Sequence, residues 1–397
     1  MLIRFFKFFL ILLYWPMRFL VKKSNIIIID SYNPFVYSDN TKYLYEYLSD
    51  NTDYDIYWIT KNAKVVEFLQ KKNLKSLNIK KVSTYLFSLY LLLKAKIIIN
   101  CGTKYFNPLN IKLLNTIKIT TFHGNGPKTV ITPNMNESDI LDINMFDYIN
   151  FTSDSLIKSC GKAFQIPKKK LIKFGYPRCD QFFNYNYVKT RHEQKKIARI
   201  ITNGKISKKS KIILYTPTWR PYTYDFPLFS LKGLKNFKLL DDYLNEKNYF
   251  FFYSIHTAFN IPRNIPTSKR IILIDNTNKH PFYDTNRFML EVDLLVNDYS
   301  TTSTDFALLK RPQLFFMPDF DRYQKEKGFL EDYKSSMPGK EFENFSDFKK
   351  FTNEYLSDKN NYEKEYKAKI NNYLNKYYDL DSGNSAKMFS AFIETLM

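Results

Sequence analysis

Residues 293–305 read DLLVNDYSTTSTD, which joins an apolar run to a group of hydroxyl side chains and the start of a helical pattern. The apolar run predicts a short buried strand over Asp293–Asn297, and the spacing after it predicts a helix over Ser303–Leu309. A buried strand that leads through a polar turn into a helix is the repeating unit of parallel α/β sheets. This stretch therefore predicts an α/β fold.

The same alternation of strand and helix patterns runs through the rest of the chain. The other apolar runs that predict strands are Asn25–Asp30, Asp55–Thr60, Ile97–Asn100, Ile117–Phe122, Asp147–Thr152, Ile212–Tyr215, Tyr249–Ile255, Ile271–Ile274 and Gln313–Met317. The 397 residues exceed the usual size of one core, and residues 184–211 form a polar, basic stretch of the kind that separates domains. We therefore predict an N-terminal domain over residues 24–205 and a C-terminal domain with a helical tail over residues 206–397.

Residues 1–23 are apolar and aromatic with basic residues interspersed. The longest uncharged run, Phe8–Met17, is shorter than the roughly 20 apolar residues that span a bilayer. A basic, aromatic-rich segment of this kind is typical of a helix that lies in the headgroup region of an anionic membrane. We predict a membrane-associating segment here; a first helix packed on its own domain and an uncleaved signal-anchor are the alternatives.

The charge and the cysteines indicate the class of partner and the compartment. Lysine and arginine outnumber aspartate and glutamate by 60 to 39, a net charge of +21, which favours anionic partners or reflects a compositional bias of the whole chain. The three cysteines are too few and too scattered for a disulfide framework or a Cys-x-x-Cys metal site. They are typical of a reducing compartment. We therefore predict the cytoplasmic face of the membrane, with the protein held peripherally.

Residues with useful chemistry follow several predicted strands directly. His123 follows ITTF, Arg220 follows ILYTPTW, His256 follows FFFYSI, and Asp298 follows DLLVN. In open α/β sheets ligands bind at the carboxyl ends of the strands. We therefore expect these side chains to share one cleft between the two predicted domains.

The segment Ser300–Thr304 carries five consecutive hydroxyl side chains at the start of a predicted helix. Hydroxyl groups and the unpaired N–H groups of a helix N-terminus bind phosphate together. We predict that Asp298, Ser300, Thr301, Thr302 and Ser303 form a cradle for a diphosphate. The alternative is an ordinary helix cap in which Asp305 completes a capping box.

His123 lies in a glycine-rich turn, His123-Gly124-Asn125-Gly126-Pro127-Lys128. Glycine lets a backbone approach a ligand closely, and histidine is the usual proton acceptor at neutral pH. We predict that His123 is catalytic, with Gly124 and Lys128 contacting the acceptor or a phosphate. His256 is also predicted to be catalytic, by holding a phosphate oxygen, although a structural histidine at a sheet edge explains it equally well.

The chain has no cluster with metal-ligand spacing and no glycine-rich phosphate loop, so we predict no metal and no cofactor. The negative charge that develops in a transfer reaction would then be met by Arg220, Lys128, His256 and the hydroxyl segment.

Several blocks of the sequence occur together in one known family. They are Tyr37-Ser-Asp-Asn40, Gly175-Tyr-Pro-Arg178 with Asp180, Leu214-Tyr-Thr-Pro-Thr-Trp-Arg220, the stretch Asp293–Asp305, and Pro338-Gly339. In these blocks and their order the chain resembles the CDP-glycerol:poly(glycerophosphate) glycerophosphotransferases, the enzymes of teichoic-acid and capsule synthesis. One block departs from the family, because the turn between His123 and Lys128 differs while their spacing is kept.

The resemblance implies a GT-B fold, in which two Rossmann-like domains face each other across a cleft. It implies a CDP-glycerol or related CDP-polyol donor, held mainly by the second domain, and a lipid-linked or polymer acceptor. His123 would be the general base, and His256, Arg220 and the Ser300–Ser303 segment would hold the diphosphate, with CMP as the leaving group. No nucleic-acid partner is implied.

Two other functions remain open at the level of sequence. One is a GT-B glycosyltransferase that uses a nucleotide sugar. The other is a non-enzymatic binder of an anionic polymer or nucleic acid, although the clustering of histidine and hydroxyl residues after strands argues against it.

Overall fold

The computed structural model describes residues 2–107, 113–126, 142–183, 195–218, 220, 231–255, 267–275, 284–329 and 332–397. Two parallel sheets organise these residues, and helices pack against both of them.

The first sheet is built from isoleucine-rich strands near the N-terminus. Its strands are β1 Ser24–Ile29, β2 Asp55–Thr60, β3 Ser76–Asn78, β4 Ala95–Asn100, β5 Ile117–Thr120, β6 Tyr148–Phe151 and β7 Leu171–Lys173. They pair in parallel in the order β3-β2-β1-β4-β5-β6-β7. Ile27, Ile28 and Ile29 of β1 are fully buried, because a parallel sheet is covered on both faces and its strands read as continuous apolar runs.

The second sheet repeats the same winding. Its strands are β8 Lys211–Tyr215, β9 Tyr249–Ile255, β10 Ile271–Asp275, β11 Leu294–Asn297, β12 Gln313–Phe315 and β13 Lys340–Glu341. They pair in parallel in the order β10-β9-β8-β11-β12-β13. In each sheet the first strand lies in the middle and the strand order reverses beside it, which is the Rossmann arrangement. The predicted α/β fold with two Rossmann-like domains is confirmed.

Helices connect and cover the strands. They are α1 Leu2–Leu20, α2 Asp39–Asn51, α3 Ala63–Lys71, α4 Val82–Lys94, α5 Asp154–Ala163, α6 Asp180–Phe183, α7 Lys196–Ile201, α8 Phe237–Glu246, α9 Thr285–Met289, α10 Thr302–Ala307, α11 Phe320–Glu326, α12 Tyr333–Ser336, α13 Phe345–Ser357, α14 Lys359–Tyr377 and α15 Ser385–Leu396. Several begin at a side-chain cap, as at α5, where the side chain of Ser153 accepts a hydrogen bond from the N–H of Leu156.

The last helix returns to the first domain. Phe389 and Ile393 of α15 are fully buried in the core of the first sheet, beside Ile27. The carboxylate of Asp180 accepts hydrogen bonds of 2.9 Å from two N–H groups at the start of α15. The predicted C-terminal domain, residues 206–397, includes this helix. In the structure its buried apolar side chains and the cap from Asp180 hold it on the first sheet.

Helix α1 buries one face and exposes another. Leu10 and Tyr14 pack against Leu89 and Leu93 of α4. Among residues 10–20 of α1, whose side chains the structure describes, the exposed large apolar ones are Leu12, Leu13, Trp15, Phe19 and Leu20. Within the described ranges, no helix combines the length and the apolar character needed to cross a membrane.

Candidate active site

Both sheets direct the carboxyl ends of their strands at one cleft. From the first domain and the segment that ends it, Tyr32, Val36, Ser38, Asp39, His123 and Arg178 line the cleft. From the second domain the lining residues are Thr216, Pro217, Ser254, Asp284, Thr285, Asn286, Met289, Ser300, Thr301, Thr302 and Asp305. The first set follows β1, β5 and β7, and the second set lies at or after the ends of β8, β9, β10 and β11. β1 and β8 are the strands beside which the strand order reverses.

His123 follows β5 on a strained turn and is exposed to the cleft. Phe122, directly before it, has a φ of 54°, a value that bulky residues adopt only when their surroundings hold them there. Here the surroundings include the amide of Asn40, whose Nδ2 donates a 2.7 Å hydrogen bond to the carbonyl of Phe122. The turn thereby carries the imidazole out of the first domain and into the cleft.

The ring of His123 is oriented by the backbone of the neighbouring strand end. Its Nδ1 lies 2.7 Å from the carbonyl oxygen of Cys101. Because a carbonyl oxygen only accepts hydrogen bonds, the neutral ring carries its proton on Nδ1. Nε2 is then the proton acceptor, as a general base requires.

Three of the predicted cradle residues face His123 across the cleft. Ser300 and Thr301 line it between β11 and α10, and Thr302 lines it as the first residue of α10. The hydroxyls of Ser300 and Thr302 lie 2.9 Å apart, and the N–H of Thr302 donates to the hydroxyl of Ser300. The structure thus brings the predicted proton acceptor and part of the predicted phosphate cradle to opposite walls of one cleft.

The other two cradle residues are buried and support the segment from within. The hydroxyl of Ser303 donates a 2.9 Å hydrogen bond to the side chain of Gln313. The carboxylate of Asp298 is fully buried and accepts hydrogen bonds from the N–H and the hydroxyl of Thr218. Both side chains are thus engaged in positioning the hydroxyl segment.

The side chain of Arg220 has other partners than those predicted. It is buried, and its guanidinium is paired with the carboxylates of Asp298 and Asp319. From its place in the sequence this guanidinium was predicted to face a phosphate, whereas in the structure it is paired with two carboxylates. The arrangement supports a role in holding the second domain's strand ends together.

Of the remaining predicted site residues, the structure describes one and does not describe the other two. Gly124 follows His123 and is half-buried, and its carbonyl accepts a 3.0 Å hydrogen bond from the hydroxyl of Tyr176. Lys128 and His256 lie outside the described residues, so their predicted phosphate contacts stay predictions.

Arg178 is a central residue of the site, although no role for it was predicted from the sequence. Its Nε donates to Asp305 in the second domain at 2.8 Å, and its Nη1 donates to Asp39 at the start of α2 at 2.6 Å. Its Nη2 donates to the carbonyl of His123 at 2.9 Å. Although burial favours the neutral form, the carboxylates of Asp305 and Asp39 hold the pKa of Arg178 well above its ordinary value. The guanidinium therefore stays charged and ties the His123 turn to both domains.

The altered turn after His123 contacts the second domain directly. Nδ2 of Asn125 donates a 3.1 Å hydrogen bond to Asp305. A Cβ added to Gly126 would lie 3.3 Å from Oγ1 of Thr304 and 3.4 Å from Cγ2 of Thr301. Glycine thus permits a close approach between the histidine turn and the hydroxyl segment.

A second bridge joins the domains on the α2 side of the cleft. The carboxylate of Asp284 accepts hydrogen bonds of 2.7 Å from Lys42 and 2.8 Å from Tyr43, both on α2. It also caps α9 by accepting from the N–H groups of Asn286 and Arg287. Opposite charge holds the two halves of the cleft together at this point as well.

A histidine and a hydroxyl-rich segment on facing Rossmann-like domains define a group-transfer enzyme of GT-B architecture. The chain belongs to the CDP-Glycerol:Poly(glycerophosphate) glycerophosphotransferase family, whose sequence profile matches residues 12–395. The family resemblance and the enzyme class inferred from the sequence motifs are confirmed.

Curated relatives and solved structures agree with this assignment. A teichoic acid glycerol-phosphate transferase of Staphylococcus aureus is 28% identical over 81% of this chain and 81% of its own length. A teichoic acid poly(glycerol phosphate) polymerase of Bacillus spizizenii is 28% identical over 93% of this chain and 91% of its own. A structure of the wall teichoic acid polymerase TagF soaked with CDPG shares the fold, with a TM-score of 0.74 and 22% identity over 94% of this chain and 89% of that one.

Proposed function

We propose that this enzyme transfers glycerol phosphate, or a similar polyol phosphate, from a CDP-activated donor to an acceptor hydroxyl during synthesis of a cell-surface polymer such as teichoic acid or capsule. The observation that carries the proposal is that His123 and the Ser300–Thr302 hydroxyls line the same cleft from opposite domains. Nε2 of His123 is the proton acceptor there. Such a pair provides a base for an attacking hydroxyl and donors for a phosphate, in line with the family to which the chain belongs.

The reaction is a single displacement at phosphorus. The acceptor oxygen forms a bond to the phosphorus that carries glycerol while its proton passes to Nε2 of His123. The bond from that phosphorus to the bridging oxygen breaks, and the electron pair leaves with CMP. Negative charge on the phosphate oxygens is met by the hydroxyl donors of Ser300, Thr301 and Thr302, with Lys128 and His256 proposed as further contacts.

The test offers the purified protein CDP-glycerol, CDP-ribitol and UDP-sugars, each with a lipid-linked and a polymer acceptor. We expect CMP release from a CDP-polyol and transfer of the polyol phosphate to the acceptor. Release of UDP with transfer of a sugar would instead identify a nucleotide-sugar glycosyltransferase. The absence of CMP release from both CDP-polyols with every acceptor would refute the proposal.

We also propose that the enzyme acts at the cytoplasmic face of the membrane, held there peripherally by α1. The supporting observation is the exposed apolar surface of a helix whose last turn carries a basic residue, Arg18. The guanidinium of Arg18 lies 4.5 Å from the ring centre of Trp15, so cationic and aromatic groups lie side by side. This combination suits the interface of an anionic bilayer.

Charge placed on α1 is expected to release the protein from vesicles. The double variant Leu12→Glu and Phe19→Glu should bind phosphatidylglycerol vesicles at least about tenfold more weakly, because burying each apolar side chain contributes about 1.5–3 kcal/mol. Co-sedimentation measures the binding, and turnover on a soluble acceptor should be unchanged. The matched control, Leu239→Glu with Met388→Glu, adds the same charge at exposed apolar positions on α8 and α15. Equal binding by both double variants would place the anchor elsewhere.

A further inference from the structure

Tyr32, which follows β1, stacks on the ring of His123. The two ring centres lie 5.2 Å apart and the ring planes differ by 17°. Tyr32 lines the cleft and 41% of its surface is exposed, so the stack is formed at the site itself and not within the core. Neither ring is held by deep burial, and their geometry must therefore come from specific neighbours.

The backbone that accepts from His123 also makes room for Tyr32. Cys101, whose carbonyl accepts from Nδ1, is followed by Gly102. A Cβ added to Gly102 would lie 3.0 Å from Cβ of Tyr32 and 3.1 Å from Oδ1 of Asn100. A larger residue at this position would push the tyrosine away, so glycine lets the ends of β1 and β4 close around the imidazole.

A buried hydrogen-bonded pair fixes both strand ends beneath the stack. Nδ2 of Asn100 donates a 2.7 Å hydrogen bond to the carboxylate of Asp30, and Oδ1 of Asn100 accepts from the N–H of Gly102. Asp30 precedes Tyr32 by two residues and Asn100 precedes Gly102 by two. The two segments that contact His123 are thus tied to one another by side chains that are themselves buried.

We propose that Tyr32 is a positioning residue for the transfer reaction: its ring face holds the plane of His123 so that Nδ1 stays on the Cys101 carbonyl and Nε2 stays toward the acceptor hydroxyl. The role of His123 in this statement rests on the proposed function. An exposed imidazole has a broad, roughly two-fold torsion about its last bond and changes rotamer quickly. One hydrogen bond fixes one ring atom, whereas a stacked face fixes the plane of the ring.

Two substitutions separate the ring face from the hydroxyl. Tyr32→Leu removes the stack, and we expect kcat for CMP release to fall by about tenfold or more while KM for CDP-glycerol stays within about twofold, because misplacing a reacting group costs rate and leaves donor binding intact. Tyr32→Phe keeps the ring and should retain kcat within about threefold. The control Tyr90→Leu, which removes a tyrosine exposed to 39% on α4, should leave both constants unchanged on a soluble acceptor.

A measurement without turnover separates this proposal from the proposed function. In protein labelled with ¹⁵N-histidine, the ring nitrogen shifts of His123, assigned with the variant His123→Gln among the four histidines, report which nitrogen carries the proton. We expect the Nδ1–H form in the wild type and in Tyr32→Phe, and a mixture of tautomers in Tyr32→Leu. Unchanged shifts and kcat in Tyr32→Leu would overturn the positioning role. Equal losses of kcat in Tyr32→Phe and Tyr32→Leu would also overturn it, by assigning the effect to the hydroxyl.

Discussion

His123→Ala is expected to lower CMP release by about 10²–10⁴-fold while the affinity for CDP-glycerol changes little. A positioned general base contributes a rate factor of that size when it accepts a proton in the transition state. With Nδ1 on the Cys101 carbonyl, Nε2 is available to accept the proton of the acceptor hydroxyl, as the proposed function requires. Steady-state kinetics of CMP release and calorimetric titration of CDP-glycerol into the variant measure the two quantities separately.

The matched comparison is Ser300→Ala on the opposite wall of the cleft. Its hydroxyl is proposed to contact the diphosphate, so this variant should bind CDP-glycerol more weakly, by about 0.5–1.5 kcal/mol for one hydrogen bond. His123→Ala and Ser300→Ala are therefore expected to show opposite patterns of rate and affinity. If His123→Ala loses donor affinity as strongly as Ser300→Ala, the division of roles between the two walls is wrong.

Most strands of the two sheets could be predicted from sequence because both of their faces are buried, whereas the short edge strands β3, β7 and β13 were not predicted. A strand of a parallel sheet needs apolar residues on both faces, so it reads as a continuous run, as at Asn25–Asp30, where the structure has β1 at Ser24–Ile29. The end of each run then marks the edge of the sheet where ligands bind. His123 was predicted by this rule and lines the cleft, as does Ser300, which was predicted from the hydroxyl side chains at the start of a helix.

Side-chain partners that only tertiary packing brings together could not be predicted. Arg220 follows a strand and suits a phosphate, but Asp319, which pairs with it, is 99 residues away. Ser303 belongs to the predicted cradle by position, yet its hydrogen bond to Gln313 depends on how α10 and β12 pack. A pattern of residue types locates the end of a strand correctly. It does not show which side chains at that end already have hydrogen-bond or ion-pair partners within the protein.

The role of Arg178 in the site was not predicted for the same reason, and this residue was named only as part of a sequence block. Its partners Asp39 and Asp305 lie 139 and 127 residues away on opposite sides of it in the sequence. The return of α15 to the first sheet was missed for a related reason, since its amphipathic pattern fits either domain equally well. Its place is identified by the tertiary contacts, among them the cap from Asp180 and the burial of Phe389.

Replacing Arg178 by alanine is expected to lower the free energy of unfolding by about 3–5 kcal/mol, the usual cost of removing one partner from a buried ion pair. Asp305 and Asp39 would be left without their cation in a buried site, and the carbonyl of His123 would lose its donor. Denaturant titration followed by circular dichroism measures the change. The loss of stability alone does not distinguish a structural role from a role in aligning the site.

Arg178→Lys makes that distinction. Lysine keeps the positive charge, but its single ammonium group lacks the planar fork that contacts Asp39, Asp305 and the His123 carbonyl at once. We expect this variant to be closer to the wild type in stability than Arg178→Ala and yet to lose about 10²-fold in kcat, because the general base is no longer held in register with the second domain.

Arg311→Lys is the matched control for losing a buried guanidinium. Arg311 is also buried, and its Nη1 donates to the backbone carbonyls of Leu290 and Val292 within the second domain. Its replacement should cost stability while the folded protein keeps its kcat. If Arg178→Lys behaves like Arg311→Lys, the guanidinium of Arg178 only stabilises the fold, and the alignment of His123 with the hydroxyl segment must come from Asn125 and the Lys42–Asp284 bridge.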